Sequence, residues 1–228
     1  MSFLESVRKK LAIVTLLLGL LSVPGSSVYG GDDFLSKHRL SVSLWEQGDW
    51  EVQLHGETRW QDNSTSLKEW LVTPQVYWKA DEHWRFGLAY THLEFRKGNG
   101  FDKDHRLEIE ADPHWKLADW VNLDLRNRME IRFREGPANG TERYRGRFQF
   151  TFPMEHMGPL HSLYANNEFF LDLDSHQFNQ NRLTPLGLSF KLNDLAQFRI
   201  YYLLQSTRTH AEWEQGHTLG TQLLFRLK

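Results

Sequence analysis

The chain contains no cysteine. That excludes disulfides, thiolate chemistry and Cys-ligated zinc. Beyond residue 30 no apolar run reaches the ~18 residues a spanning helix needs, and mean hydropathy is −0.57. These two absences exclude a helical membrane protein. They leave a barrel open, because its strands are only half apolar. Basic charge is not in surplus either, with 27 Lys+Arg against 29 Asp+Glu, so no nucleic-acid partner is expected. There is no Gly-rich phosphate loop, no paired-carboxylate signature and no internal repeat beyond a hairpin period. No cofactor and no metal are expected.

What the chain does have is aromatic residues, 14% of it with nine Trp, and strict alternation. The stretch from Trp120 to Phe152 is the clearest case. Val121, Leu123, Leu125, Met129, Ile131 and Phe133 share one side, interrupted only by Asn127; Asn122, Asp124, Arg126, Arg128, Glu130, Arg132 and Arg134 share the other. After a Gly/Pro/Asn turn, Tyr144, Phe148, Phe150 and Phe152 alternate with Arg143, Arg145, Arg147, Gln149 and Thr151. Period two means a strand with two unlike faces. These runs are roughly twice the usual 5–6 residues of a soluble strand and match the ~9–11 residues of a tilted transmembrane strand. An Arg facing lipid at mid-bilayer costs about 2–4 kcal/mol. The arginines must therefore face a wet interior and the apolar side must face lipid. The fold class predicted is all-β, a transmembrane antiparallel meander barrel.

Eleven strand-like segments are predicted, roughly 38–46, 50–60, 69–79, 84–96, 105–117, 120–134, 142–153, 160–171, 183–192, 196–206 and 217–228. Single-chain bacterial barrels have an even number of strands. The expectation is therefore about 10–12, with either 38–46 not a full wall strand or one strand uncounted. The fourth segment shifts phase near His92, which predicts a bulge. The eighth could turn either face outward. Pro74, Pro113 and Pro185 lie inside strands, where bulges or short breaks are expected. One set of connections reads short (47–49, 80–83, 118–119, 193–195, with 154–159 a little longer) and the other long and polar (61–68, 97–104, 135–142, 172–181, 207–216), the pattern of periplasmic turns and outer loops. Trp50, Trp78, Trp84, Trp115 and Trp120 flank the short set and Trp60 and Trp70 a long loop, as two interfacial girdles would.

Residues 1–30 read as a secretory signal peptide. Arg8, Lys9 and Lys10 precede the apolar run Leu11 to Leu21, Pro24-Gly25 breaks it, and cleavage is expected after Gly30. Residues 31–228 are then the barrel, exported to the outer membrane. Thr218, Gly220, Leu223 and Phe225 match the polar-x-Gly-x-x-apolar-x-aromatic pattern of a barrel's last strand. They resemble the signal read by the barrel-assembly machinery, although three residues follow Phe225. Lipid and that machinery are the expected partners, with small solutes possible.

The motifs Glu168-Phe169-Phe170, Asn181-Arg182-Leu183 and Lys191 to Asp194, with the wall pattern, resemble the bacterial proteins catalogued as domain of unknown function 2490. The resemblance covers most of residues 31–228. It implies an outer-membrane barrel and carries no activity or catalytic residues.

The chemistry lies in the charges. Arg126, Arg128, Arg132, Arg134, Arg143, Arg145 and Arg147 should point into one lumen sector, facing Glu108, Glu110 and Asp112, with Asp124 and Glu130 interleaved. Opposite charges across strands stabilise a wall by about 0.2–1 kcal/mol per pair. A structural barrel or narrow pore is the reading this favours. A ring of bases that attracts anions, as in a small porin-like channel, is the alternative. A rim hydrolase is a third reading, with His92 and His105 beside Asp102 and Asp104, or His210 and His217 bracketing Glu212 and Glu214. No nucleophile motif accompanies either set, and catalysis is not expected.

Overall fold

The computed structural model describes residues 34–135, 140–154, 157–209 and 212–227. The signal-peptide segment and His210 lie outside them. Eleven strands close into one barrel: β1 (Phe34–Gln47), β2 (Trp50–Gln61), β3 (Ser66–Lys79), β4 (Trp84–Lys97), β5 (Gly100–Ala118), β6 (Val121–Arg134), β7 (Thr141–Pro153), β8 (Leu160–Asp172), β9 (Gln177–Lys191), β10 (Ala196–Thr209) and β11 (Glu212–Arg226). Neighbours in sequence pair antiparallel, and the sheet closes where β1 runs parallel to β11 from Phe34↔His217 to Ser43↔Arg226. No helix long and apolar enough to cross a membrane occurs among the described residues.

The strand count corrects the expectation of an even number. The first segment is a full wall strand, paired along its length with both β2 and β11. A parallel seam lets an odd number close. Its slanted hydrogen bonds are slightly weaker per residue than an antiparallel ladder.

Alternation holds around the wall, and it is inside out relative to a soluble protein. Ile109 is 53% exposed and Leu88 54%, while Asp104 and Glu130 have no exposed surface. Lipid-side candidates such as Trp50, Leu54, Val76, Trp78 and Phe86 point outward. Among the buried residues, charged and polar side chains outnumber hydrophobic ones. Asn127, the polar interruption on the outer face, accepts a hydrogen bond from the Tyr144 hydroxyl at 2.7 Å and donates to the Ala111 carbonyl at 3.1 Å. A polar side chain on that face is thereby satisfied within the wall.

Two expectations change in detail, and one reading left open is settled. The loop lengths do not alternate: connections at both rims are short, because strand pairing continues through most residues read as outer loops. Lys97↔Gly100 and Thr209↔Glu212 are already paired. The phase change near His92 is not a bulge. Register is continuous from Trp84↔Pro113 to Lys97↔Gly100, and an apolar Leu93 simply turns into the lumen, 2% exposed, while His92 turns out. The ambiguous eighth strand, β8, sends Glu168 and Phe170 inward. The prolines behave as expected: the ladder is interrupted beside Pro74 and Pro113 without a change of register, and it shifts on both sides of β9 at Pro185.

Glycines sit directly opposite aromatic rings at four places: Tyr77↔Gly87, Gly146↔Phe169, Tyr164↔Gly187 and Tyr201↔Gly220. The ring lies over the glycine so closely that a Cβ on Gly146 would come 2.1 Å from Phe169 Cζ. Each pair fills a hole in the wall with a side chain from next door.

Candidate functional site

The lumen is the site, and its geometry follows from register. Strands β4 to β9 place carboxylates and guanidiniums on the inward positions of adjacent strands, so that each acid meets several bases. Glu130 accepts from Arg143 and from Arg145, both at 2.5 Å, and Arg128 stands 3.9 Å away. Arg145 also reaches Glu168 at 2.9 Å, which Arg126 bonds as well. Arg128 holds Glu108 at 2.6 Å and also Glu110. Nearer the upper rim, the end where β5 begins, Asp104 takes Arg106 at 2.9 Å, Arg134 at 3.2 Å and Arg132. Neutral donors complete the acids. The Thr91 hydroxyl donates to Glu108 at 2.9 Å and the Tyr77 hydroxyl to Glu110 at 3.0 Å.

A second node lies on the other side. Glu57 on β2 is shared by Lys37 at 3.2 Å, Arg39 at 2.6 Å and Arg59 at 2.8 Å, and Arg59 continues to Glu69 at 2.8 Å. Phe170, with no exposed surface, stands between guanidiniums: Arg143, Arg145 and Arg182 lie 5.0, 4.7 and 4.8 Å from its ring centroid. The ring face attracts these cations where carboxylates run short. Removing charge from water is tolerated only with such pairing.

Of the predicted cluster, Arg126, Arg128, Arg132, Arg134, Arg143, Arg145, Glu108, Glu110 and Glu130 join these networks. Asp112 pairs instead with Arg85 at 2.8 Å, and Asp124 with His114 at 2.6 Å and the Thr151 hydroxyl at 3.3 Å. Arg147 faces the lumen opposite Arg126 and Glu168 with no carboxylate at ion-pair distance among the described residues. Sequence reasoning missed Glu57, Asp104, Arg106, Lys37, Arg39, Arg59 and Arg199 as lumen groups. Their signal is the alternation of β1, β2, β5 and β10, whose inward positions carry these charges. Glu168, Phe170 and Arg182 stand out in the sequence only as motif residues, and they sit in the network.

A cavity of about 530 Å³ runs through the lumen, lined by β1 to β3, β10 and β11 and by network residues of β4 to β7 and β9, among them Arg106, Arg128, Arg145 and Arg182. Its lining includes Trp60, Lys68 and Gln180 near one rim and Ser43, Glu51 and Phe225 near the other. A smaller cavity of about 70 Å³ lies against β7 to β10, with Lys37 and Arg39 of β1, Arg126 of β6 and Gln222 of β11 also on its lining.

The tryptophans predicted as girdles lie toward the rims, and some of them make ring contacts. At the rim where β2 starts, Trp50 and Trp78 lie 6.3 Å apart, Trp78 and Phe86 6.0 Å, and Trp84 and Phe86 5.9 Å; Trp120 stacks on Phe152 at 6.2 Å. At the other rim Trp70 lies 5.3 Å from His92, and the Trp60 indole donates to Thr58. Trp115 is half-buried on the outer face of β5. On a tilted strand the span from Trp50 to Trp60 is close to the ~25 Å height of an apolar band.

The rim histidines do not gather their predicted carboxylates. His105 Nδ1 is 2.7 Å from the Tyr90 hydroxyl and 3.5 Å from His92 Nδ1, and His92 Nε2 is 3.3 Å from Glu94. Asp104 points into the lumen instead, and Asp102 bonds Lys97 at 2.6 Å. His217 bonds the Tyr202 hydroxyl on the outer face. Thr218 and Gly220 of the last strand face inward, the latter under Tyr201, while Leu223 and Phe225 alternate outward from them.

The family model described as "Protein of unknown function (DUF2490)" matches residues 38–216. The motif Lys191 to Asp194 is a tight turn, closed by an ion pair between its ends at 2.7 Å. No curated protein matches the chain. A solved structure titled "Bacterial polysaccharide outer membrane secretin" is similar with 9% identity and a TM-score of 0.47, over 77% of this chain and 74% of that one.

Proposed function

This chain belongs to the DUF2490 family of unknown function, and from that premise we propose that it is an outer-membrane β-barrel whose lumen is held nearly shut by its own ion pairs. The inverted wall supports the membrane location: an outer face with Ile109 and Leu88 more than half exposed suits lipid and not water. The aromatic rings at both rims and the export segment read from residues 1–30 agree with it. The observation that carries the closed lumen is Glu130, fully buried at mid-wall and held by Arg143 and Arg145 together. Such a network narrows the interior with fixed side chains and acts as a scaffold. No hydrolytic role is assigned to the rim: the His92–His105 pair faces outward between Tyr90 and Glu94.

A second reading has one observation in its favour. The 530 Å³ cavity is lined by residues of both rims and, between them, by Lys37, Arg39 and Arg182, and basic linings favour anions. Refolded protein in planar bilayers under a salt gradient separates the two. Near silence from a folded barrel is the expected result; steady steps with an anion-biased reversal potential would replace the scaffold by a narrow anion passage.

A further inference from the structure

We propose that the cavity bounded by Arg147 and Arg199 binds a small oxyanion of the phosphate or sulfate type. The inference takes the lumen as the functional site and does not depend on whether it conducts.

Among the described residues, every other lumen-facing arginine touches a carboxylate. Arg147 and Arg199 do not. Arg199 has only the Gln197 side-chain oxygen at 3.2 Å and the Tyr164 ring, 5.6 Å from centroid to guanidinium. Arg147 lies directly opposite Arg126 on the neighbouring strand. Like charges placed so repel unless an anion comes between them. Both line the same cavity of about 70 Å³, together with Lys37, Arg39, Arg126 and Arg182. Glu168 is the only carboxylate on that lining, and Arg126 and Arg145 already hold it.

The shape suits an ion rather than a closed salt bridge. A single water needs about 10–15 Å³ of such space, so the cavity has room for several waters or one tetrahedral anion of five heavy atoms. Donors approach from separate strands: Arg147 and Gln149 from β7, Arg199 and Tyr201 from β10, Gln222 from β11. A tetrahedral oxyanion accepts from several directions at once, and guanidinium forks suit its oxygen pairs. Tyr164 packs over Gly187 and supports the Arg199 guanidinium from beneath. That holds the fork in place before any ligand arrives.

The test is calorimetric titration of the folded full-length mature barrel in detergent with sodium phosphate, at fixed sodium chloride. No bilayer is involved, so a failure here is distinct from a failure of the closed-lumen reading. One saturable site is expected, with sodium sulfate competing for it. Arg147→Gln and Arg199→Gln should each weaken phosphate about tenfold or more, since charged hydrogen bonds contribute ~1.5–3 kcal/mol, and Arg199→Lys should weaken it less. Heat-modifiable migration on gels reports folding. Should either charge-removing variant fail to fold, Gln149→Ala and Gln222→Ala are expected to weaken binding in its place. Absence of saturable binding of either anion to the wild-type protein, or wild-type affinity in the folded variants, would overturn the proposal.

Discussion

The lumen has two sectors made from the same residue types and built to opposite effect. Between β4 and β9, Glu108, Glu110, Glu130 and Glu168 are shared among Arg126, Arg128, Arg143 and Arg145, and few charges are left over. Toward β10 and β11, Arg199 stands beside neutral Gln197, Gln222 and Tyr164. The difference comes from register alone. Where inward acids and bases fall on adjacent strands at one height, they neutralise one another and fix the wall. Where bases meet only amides and phenols, their charge stays available to something else.

The contrast can be broken most strongly at Glu130. Glu130→Gln leaves Arg143 and Arg145 without their carboxylate, a loss of about 3–5 kcal/mol, read as a lower urea midpoint in lipid vesicles. Arg199→Gln removes no ion pair and should change the same midpoint by less than about 1 kcal/mol. Equal effects at the two positions would erase the distinction between sectors. The outer face gives the next largest effect. Ile109 alternates with Glu108 and Glu110 on β5, and Ile109→Arg should cost about 2–4 kcal/mol in bilayers. Little effect in vesicles would place that face against something other than lipid. Smaller again, though above Arg199→Gln, is Gly146→Ala, which forces a methyl group against the Phe169 ring and should cost about 1–3 kcal/mol with both sectors intact.

The fold was readable because period-two alternation is local. Trp50 to Arg59 states its two faces without reference to any other strand. The charge cluster was readable in part, since Arg126 to Arg147 and Glu108 to Glu130 occur on consecutive strands. Glu57 and Asp104 were not, because their partners come from the register between strands, which a sequence does not display. Asp112 and Asp124 went astray for the same reason: Arg85 and His114 were nearer than the cluster. The strand count was obscured by a rule rather than by residues, as β1 alternates like the others and pairs on both sides.

The parallel seam between β1 and β11 has a topological consequence. A wall of eleven crossings enters at one rim and leaves at the other. In an even barrel both ends of the meander share a rim. Here Phe34 and Arg226, the first and last residues of the wall, lie at opposite rims, so the two ends of the meander are held a full wall height apart.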